Sequence, residues 1–166
     1  MKKILLLVIA FVALFVSNGM AQTPWKIIDM EFATVHGVNC DYDDETCTAT
    51  FKDKYNRWVD LPGFSGDITG HTNLKCEILK SNVVLRFCVR YRDDSGKTQQ
   101  VDAQTFYHSM GKEIKAKKTI KVDLTNGGKI DAEIFKNVTS IRVAMARPAA
   151  GAEEPYYAQF GQIIVE

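Results

Sequence analysis

Histidine, closely spaced cysteine pairs and long runs of one charge are scarce or absent in this sequence. Its three histidines, His36, His71 and His108, lie far apart in the chain, and its four cysteines include no Cys-x-x-Cys pair. Zinc sites and cysteine–histidine nucleophiles use these residue types in close groups. The sequence therefore predicts a non-enzymatic protein that has no metal site of this kind and no cofactor.

The charges nearly balance. The chain has 21 lysines and arginines and 20 aspartates and glutamates, which gives a formal net charge of +1. Proteins that bind nucleic acid non-specifically neutralise its phosphates with a surplus of lysine and arginine. The composition therefore predicts no nucleic-acid partner.

Only one long apolar run occurs, and it stands near residue 1. Lys2 and Lys3 precede an apolar stretch over residues 4–16, and small residues then lead up to Ala21. This order is typical of a signal peptide. A membrane helix needs about 20 apolar residues, so an uncleaved anchor is the less favoured interpretation. We therefore expect removal of residues 1–21 and export to the periplasm or the cell exterior, with no membrane span in the mature chain.

The remaining residues, 22–166, predict a single domain of ordinary size. Long amphipathic helices are missing, since only residues 131–137 show a helical pattern, of at most two turns. Short alternating or β-branched runs recur instead, with turn residues between them. We predict an all-β, two-sheet antiparallel jelly-roll sandwich with at most one short helix. About nine strands are expected, over residues 25–34, 46–52, 57–61, 74–80, 83–92, 99–108, 119–124, 139–145 and 158–165.

All four cysteines follow the expected cleavage site, and export permits disulfide bonds. Cys40 and Cys47 flank a short acidic stretch that has the composition of a turn. Cys76 and Cys88 lie in two strand-like runs, and a hairpin centred on Asn82 would place them opposite each other. We therefore predict the disulfides Cys40–Cys47 and Cys76–Cys88.

The acidic stretch is also a candidate calcium loop. Asp41, Asp43, Asp44 and Glu45 supply clustered oxygen ligands of the kind that calcium prefers. Because their spacing matches no known calcium loop, a solvated hairpin turn is the favoured interpretation and structural calcium is the alternative.

Alternation along residues 84–92 predicts a strand with arginines on its exposed face. Arg86, Cys88, Arg90 and Arg92 alternate there with apolar residues. The next run would place polar and aromatic side chains beside these arginines in an antiparallel sheet. A flat ring next to planar donors suits a sugar, whose hydroxyls need fixed hydrogen-bond partners. The predicted ligand-binding residues are Arg86, Arg90, Gln104, Phe106, Tyr107, His108 and Trp58, with Tyr107 included because a bulge would exchange it with Phe106.

The same residues have a simpler interpretation. Arginines on an exposed strand commonly pair with neighbouring carboxylates such as Asp102. Phe106, Tyr107 or Trp58 can equally serve as packing residues. Under this interpretation the strand face is a solvated surface that binds no ligand.

Several short sequence segments occur in a distinctive order. They are WVDLPGFSGDITG at 58–70, VLRFCVRY at 84–91, TFYH at 105–108, KTIKVDL at 118–124, KNVTSIRV at 136–143 and a terminal strand ending IIVE at 163–166. In this order they resemble the galactose-binding-like jelly-roll modules of secreted polysaccharide-degrading proteins of Bacteroidetes, over most of residues 22–166. The resemblance implies a non-catalytic module that binds a polysaccharide or oligosaccharide. Such modules usually accompany a glycoside hydrolase domain, and these 166 residues contain none. A structural or protein-interaction sandwich of an extracellular or cell-surface assembly is therefore the alternative.

Overall fold

A computed structural model describes residues 26–30, 33–52, 56–106 and 111–166. The expected signal peptide, residues 1–21, lies outside these ranges. Within them, no helix has both the length and the apolar character that crossing a bilayer requires. Two short 3₁₀ helices cover Pro62–Phe64 and Ala132–Asn137. The strands are β1 (Lys26–Asp29), β2 (His36–Val38), β3 (Cys40–Asp43), β4 (Thr48–Phe51), β5 (Trp58–Leu61), β6 (Asn73–Ser81), β7 (Val83–Arg92), β8 (Thr98–Phe106), β9 (Lys118–Asp123), β10 (Val138–Pro148) and β11 (Tyr156–Val165).

The strands form two antiparallel sheets. The first sheet has the order β3-β4-β11-β6-β9, and β1 also pairs with β11. The second sheet has the order β2-β5-β10-β7-β8. Lys26 pairs with Val165, so the first and last of these strands lie side by side in the first sheet. The predicted all-β, two-sheet antiparallel sandwich is confirmed.

The described chain contains eleven strands rather than about nine. The additional strands are β2, whose three residues are all exposed, and β3, which takes Asp41 and Asp43 out of the predicted turn. The turn itself covers residues 44–47, and Asp43 pairs with Thr48 across it. β2 has one apolar side chain in three residues and shows no alternation. β3 alternates Cys40 and Tyr42 with Asp41 and Asp43, but over only four residues, which is too short to distinguish a strand from an acidic turn.

The core lies between the two sheets and follows the alternation along the strands. In β7, Leu85, Phe87 and Val89 are fully buried, whereas Arg86 and Arg90 project from the opposite side and are partly exposed. The first sheet faces these residues with side chains from β6 and β11, among them Leu74, Ile78, Phe160, Ile163 and Val165. The alternation predicted along residues 84–92 is confirmed for these five residues of β7, whereas Cys88, predicted on the exposed side, is buried there.

Residues 81–82 do not form the predicted hairpin. β6 pairs with β9 and β11, whereas β7 pairs with β8 and β10, so the chain crosses between the sheets at this point. Asn82 is buried there. Its amide nitrogen donates to the carbonyls of Glu153 at 3.2 Å and Pro155 at 2.9 Å, and its oxygen accepts from the backbone N–H of Tyr157 at 2.7 Å. Asn82 thus joins the crossover to the loop before β11 and satisfies partly buried backbone groups.

The four cysteines all lie in described ranges and form no disulfide bond. Cys76 packs in the core from β6, in the first sheet. Cys88 belongs to β7, in the second sheet, and its thiol donates to Asp102 Oδ1 at 3.2 Å on the outer side. The predicted Cys76–Cys88 disulfide is wrong, because the hairpin on which it depended does not exist.

The predicted Cys40–Cys47 disulfide is likewise not formed. Cys40 pairs with Phe51 at the far end of the β3–β4 hairpin, whereas Cys47 lies in the turn with a φ of 52°. The two residues are therefore at opposite ends of the same hairpin.

Burial makes three of these thiols poor nucleophiles. Desolvation raises the pKa of Cys40 and of Cys88 to about 12, and it raises the pKa of Cys76 further. Since the thiolate is the reactive species, we expect native alkylation by iodoacetamide at mildly alkaline pH to be at least about 100-fold slower at these cysteines than in concentrated urea. Mass spectrometry of the labelled peptides measures this, with the half-buried Cys47 as the internal reference. Rapid native labelling of Cys76 or Cys88 would contradict the arrangement.

Candidate ligand-binding site

The outer surface of the second sheet carries a continuous group of polar side chains. Asp60 on β5 pairs with Arg142 on β10, Arg142 pairs with Cys88 on β7, and Cys88 pairs with Asp102 on β8. Directly paired residues of antiparallel strands project from the same side of a sheet. All four therefore lie on the side away from the core. We call this surface the polar face and define it by Trp58, Asp60, Arg86, Arg90, Gln100, Asp102 and Arg142.

Arg142 is the centre of the polar face. Its Nε donates to Asp60 Oδ1 at 2.7 Å, and its Nη2 donates to Oδ2 of the same carboxylate at 2.8 Å. Its Nη1 donates to Gln100 Oε1 at 2.7 Å, and the guanidinium lies 3.8 Å from the centre of the Trp58 ring. The side chains of Arg142 and Asp60 are only 11% and 10% exposed. A bidentate pair that is also stacked on an indole has little freedom to move, so the centre of the polar face is rigid.

Two more arginines flank this centre. Arg90 Nη1 donates to Asp60 Oδ2 at 2.9 Å, and Arg86 Nη1 pairs with Asp102 Oδ2 at 3.3 Å. Their side chains are 31% and 41% exposed. Cys88 lies between them in the sequence and is fully buried. Its burial and the nearby Asp102 carboxylate keep the thiol protonated, so it acts as a hydrogen-bond donor within the network.

Three buried polar atoms on this surface have no hydrogen-bond partner in the described part of the chain. They are Trp58 Nε1, Arg86 Nε and Ser140 Oγ. Ser140 belongs to the same surface because it pairs with Arg90 across β10 and β7. A buried polar group without a partner costs about 1–3 kcal/mol. A ligand that reaches these atoms recovers that free energy.

Three residues of the predicted site lie on the polar face. Arg86 and Arg90 stand on β7 as the alternation predicts, and Trp58 stands on β5. One face of the Trp58 ring is covered by Arg142. The Arg86–Asp102 pair is the local ion pair that the simpler interpretation predicts.

Two other predicted residues do not pair with the arginines. A β-bulge at Ala103 shifts the phase of β8, so that Thr105 pairs with Arg86. Gln104 pairs with Phe87, a core residue, instead of an arginine, and the backbone of Phe106 pairs with Leu85. The expected placement of Gln104 next to the arginines is wrong, because alternation in a sequence does not reveal a bulge.

Gln104 makes a contact of a different kind. Its Oε1 accepts a hydrogen bond from the backbone N–H of Asp123, which belongs to the other sheet, at 3.2 Å. Tyr107 and His108 lie outside the described residues, and their part in the site stays a prediction.

The residues that organise the polar face were not among the predicted ones. Asp60 and Arg142 each stand between two apolar residues in a strand. A charged residue in such a position is usually paired, and this signal could have revealed both. No comparable signal distinguishes Gln100 or Ser140, since polar residues are frequent in exposed strands.

The acidic stretch before Cys47 makes the local contacts of a turn. Asp41 forms an ion pair with Lys52 at 3.0 Å, and Asp43 Oδ1 accepts from the backbone N–H of Thr46 at 3.2 Å. In the ranges that the structure describes, no three or more His, Cys, Asp and Glu side chains are grouped to hold a metal ion. The calcium alternative therefore finds no cluster of ligands here.

No protein-family model and no curated protein matches this sequence. Among solved structures, the chain is similar to CpGH89CBM32-4 of Clostridium perfringens in complex with GlcNAc-α-1,4-galactose. The TM-score is 0.49 and the identity 12%, over 89% of this chain and 100% of that one. It is also similar to the CBM22-1–GH10 modules of Clostridium thermocellum xylanase 10B complexed with xylohexaose, with a TM-score of 0.42 and 8% identity, over 86% of this chain and 27% of that one.

A further similar structure is the CBM22-1 xylan-binding domain of Paenibacillus barcinonensis Xyn10C. Its TM-score is 0.38 and its identity 13%, over 89% of this chain and 97% of that one. These neighbours are carbohydrate-binding modules, and none comes from Bacteroidetes, so they do not support the narrower resemblance to modules of that group. At these TM-scores and identities the likeness carries no argument about what this chain binds.

Proposed function

We propose that this chain is an exported, non-catalytic module that binds a polysaccharide or oligosaccharide on the polar face. The observation that carries the proposal is the fixed position of Arg142. Three hydrogen bonds and the Trp58 ring hold this guanidinium. It thereby orders an array of donors and acceptors on an outer sheet surface.

An ordered polar array suits a sugar because each hydroxyl both donates and accepts. Arg86 and Arg90 offer donors, Gln100 offers an amide, and Asp102, whose side chain is 55% exposed, offers acceptor oxygens. Because Arg142 already holds Gln100, a ligand does not have to order that side chain. The loss of conformational freedom that weakens polar binding is reduced accordingly.

Trp58 has a limited role in this proposal. One face of its ring contacts the Arg142 guanidinium, so only the other face and the ring edge can contact a ligand. Nε1 of this ring is buried and has no partner in the described part of the chain. Trp58 therefore serves to position Arg142.

A protein-docking role has no specific observation in its favour. In the described ranges, the exposed large hydrophobic side chains are Ile27 and Val38. They lie on β1 and β2, which belong to different sheets. Docking surfaces for proteins are usually contiguous apolar patches, and these two residues do not share a sheet face.

Two glutamines on one strand provide a matched test of the proposed function. We expect Gln100→Ala to weaken polysaccharide binding about tenfold, because it removes the partner of Arg142 Nη1 and an amide of the polar face. Gln104→Ala, four residues further along β8 but off the polar face, is expected to change affinity by less than about twofold. Affinity electrophoresis of the mature chain in gels containing neutral and acidic polysaccharides measures both.

Thermal unfolding of the two variants shows whether each remains folded. If no polysaccharide in the gels retards the unsubstituted chain, the carbohydrate proposal is wrong. If both variants lose binding equally while folded, the ligand binds elsewhere than on the polar face.

A further inference from the structure

Ser140 and two residues of the polar face form a row that is rich in hydrogen-bond donors. Ser140 on β10 pairs with Arg90 on β7, and Arg90 pairs with Gln100 on β8. Their side chains therefore stand next to one another across three strands, at the separation typical of cross-strand neighbours. We call Ser140, Arg90 and Gln100 the donor row.

The acceptor atoms of Asp60 and Gln100 are already in use, and Asp102 is the exposed acceptor near the donor row. Asp60 receives two hydrogen bonds from Arg142 and one from Arg90, and it is largely buried. The Oε1 atom of Gln100 receives the third hydrogen bond of Arg142, and this contact fixes which end of the amide is the oxygen. Neither residue therefore has its acceptor atoms turned toward an incoming ligand.

The donors, in contrast, are not all used. Of the guanidinium nitrogens of Arg90, only Nη1 is bonded to a described residue. Ser140 is 3% exposed, and its hydroxyl has no partner in the described part of the chain. Gln100 Nε2 reaches Asp102 Oδ1 at 3.4 Å, and its second N–H is available on the exposed side.

A group in which donors outnumber the free acceptors matches an oxyanion better than a hydroxyl. A carboxylate or a sulfate only accepts hydrogen bonds, whereas a hydroxyl also has a proton to donate. The charges agree with this preference, since the polar face holds three guanidiniums and two carboxylates. Of the two carboxylates, Asp60 beside Arg90 is largely buried, whereas Asp102 beside Gln100 is exposed and already pairs with Arg86.

We infer that the saccharide bound by the polar face is acidic and that its carboxylate or sulfate group binds at the donor row. This inference rests on the proposed function and narrows its ligand to one chemical class. The row would hold the anionic group, and Arg86 and Asp102 would contact hydroxyls of the same or the adjoining sugar residue.

The test uses polymers that differ only in charge. We expect polygalacturonate to bind at least about tenfold more tightly than its methyl ester, or dextran sulfate at least about tenfold more tightly than dextran. A preference in the first pair identifies a carboxylate, and one in the second pair identifies a sulfate ester. Arg90→Gln and Ser140→Ala are expected to remove most of the preference. Lys121 is exposed on β9 in the other sheet, so Lys121→Gln removes one positive charge away from the polar face. This variant is expected to retain the preference for the charged polymer.

Ser140→Ala deletes only a hydroxyl without a described partner, so it remains informative if Arg90→Gln does not fold. If the unsubstituted chain binds charged and neutral polymers equally, and Gln100→Ala weakens that binding, this inference is wrong and the proposed function stands. Binding to none of the polymers would overturn both. A preference that Lys121→Gln reduces as much as Arg90→Gln would show general charge attraction and would also overturn the inference.

Discussion

Replacing Asp60 by asparagine is expected to lower the free energy of unfolding by about 3 kcal/mol. The carboxylate receives hydrogen bonds from Arg142 and Arg90 at 2.7–2.9 Å, and it is 10% exposed. Asparagine keeps the shape but removes the charge, so two guanidiniums, one of them nearly buried, lose their common counter-ion. Urea unfolding followed by tryptophan fluorescence measures the loss.

Asp102→Asn is the matched control for this substitution. Asp102 lies on the same surface and pairs with Arg86 at 3.3 Å, but both side chains are substantially exposed. An exposed ion pair contributes less than about 1 kcal/mol, so the control is expected to retain nearly full stability. Equal losses in the two variants would mean that Asp60 does not act as a buried counter-ion.

Asn82→Ala is expected to lower the free energy of unfolding by about 3 kcal/mol as well. The substitution leaves the carbonyls of Glu153 and Pro155 and the N–H of Tyr157 without the partner that the side chain supplies. These groups connect the sheet crossover to the loop before β11. Loss of these hydrogen bonds is expected to lower the urea midpoint. The slope of the transition is expected to stay the same, because the surface area exposed on unfolding does not change.

Asn73→Ala provides the comparison for Asn82. Asn73 is exposed and begins β6, the strand that ends one residue before Asn82, and the hydrogen bonds found for it involve its backbone. Its replacement is expected to change stability by less than about 0.5 kcal/mol. A similar small change at Asn82 would show that the loop satisfies its backbone groups by other means.

Much of the sandwich could be predicted because apolar and polar residues alternate along its strands in the sequence. β7 shows this clearly, since Leu85, Phe87 and Val89 enter the core while Arg86 and Arg90 remain outside. The same period fixes β6 and β11. It does not identify β2, whose three residues are all exposed, or β3, whose alternation extends over only four residues.

Other features depend on contacts between distant parts of the chain, and the nearby sequence does not show them. A short turn such as Ser81-Asn82 can close a hairpin or carry the chain to another sheet, and the flanking strands look alike in both cases. The bulge at Ala103 changes which residues stand beside the arginines, although β8 reads as an unbroken run. The pair of Asp60 and Arg142 joins residues 82 positions apart, so only the folded register brings them together.

The pairing of β1 with β11 determines how this protein can be attached to something else. Lys26 and Val165 are neighbours in the first sheet, and the polar face is the outer surface of the second. A fusion partner, a surface tether or a solid support joined through either end of the described chain is therefore held by the layer that does not bear the polar face. Attachment through β11 leaves the polar face on the opposite side of the sandwich from the support.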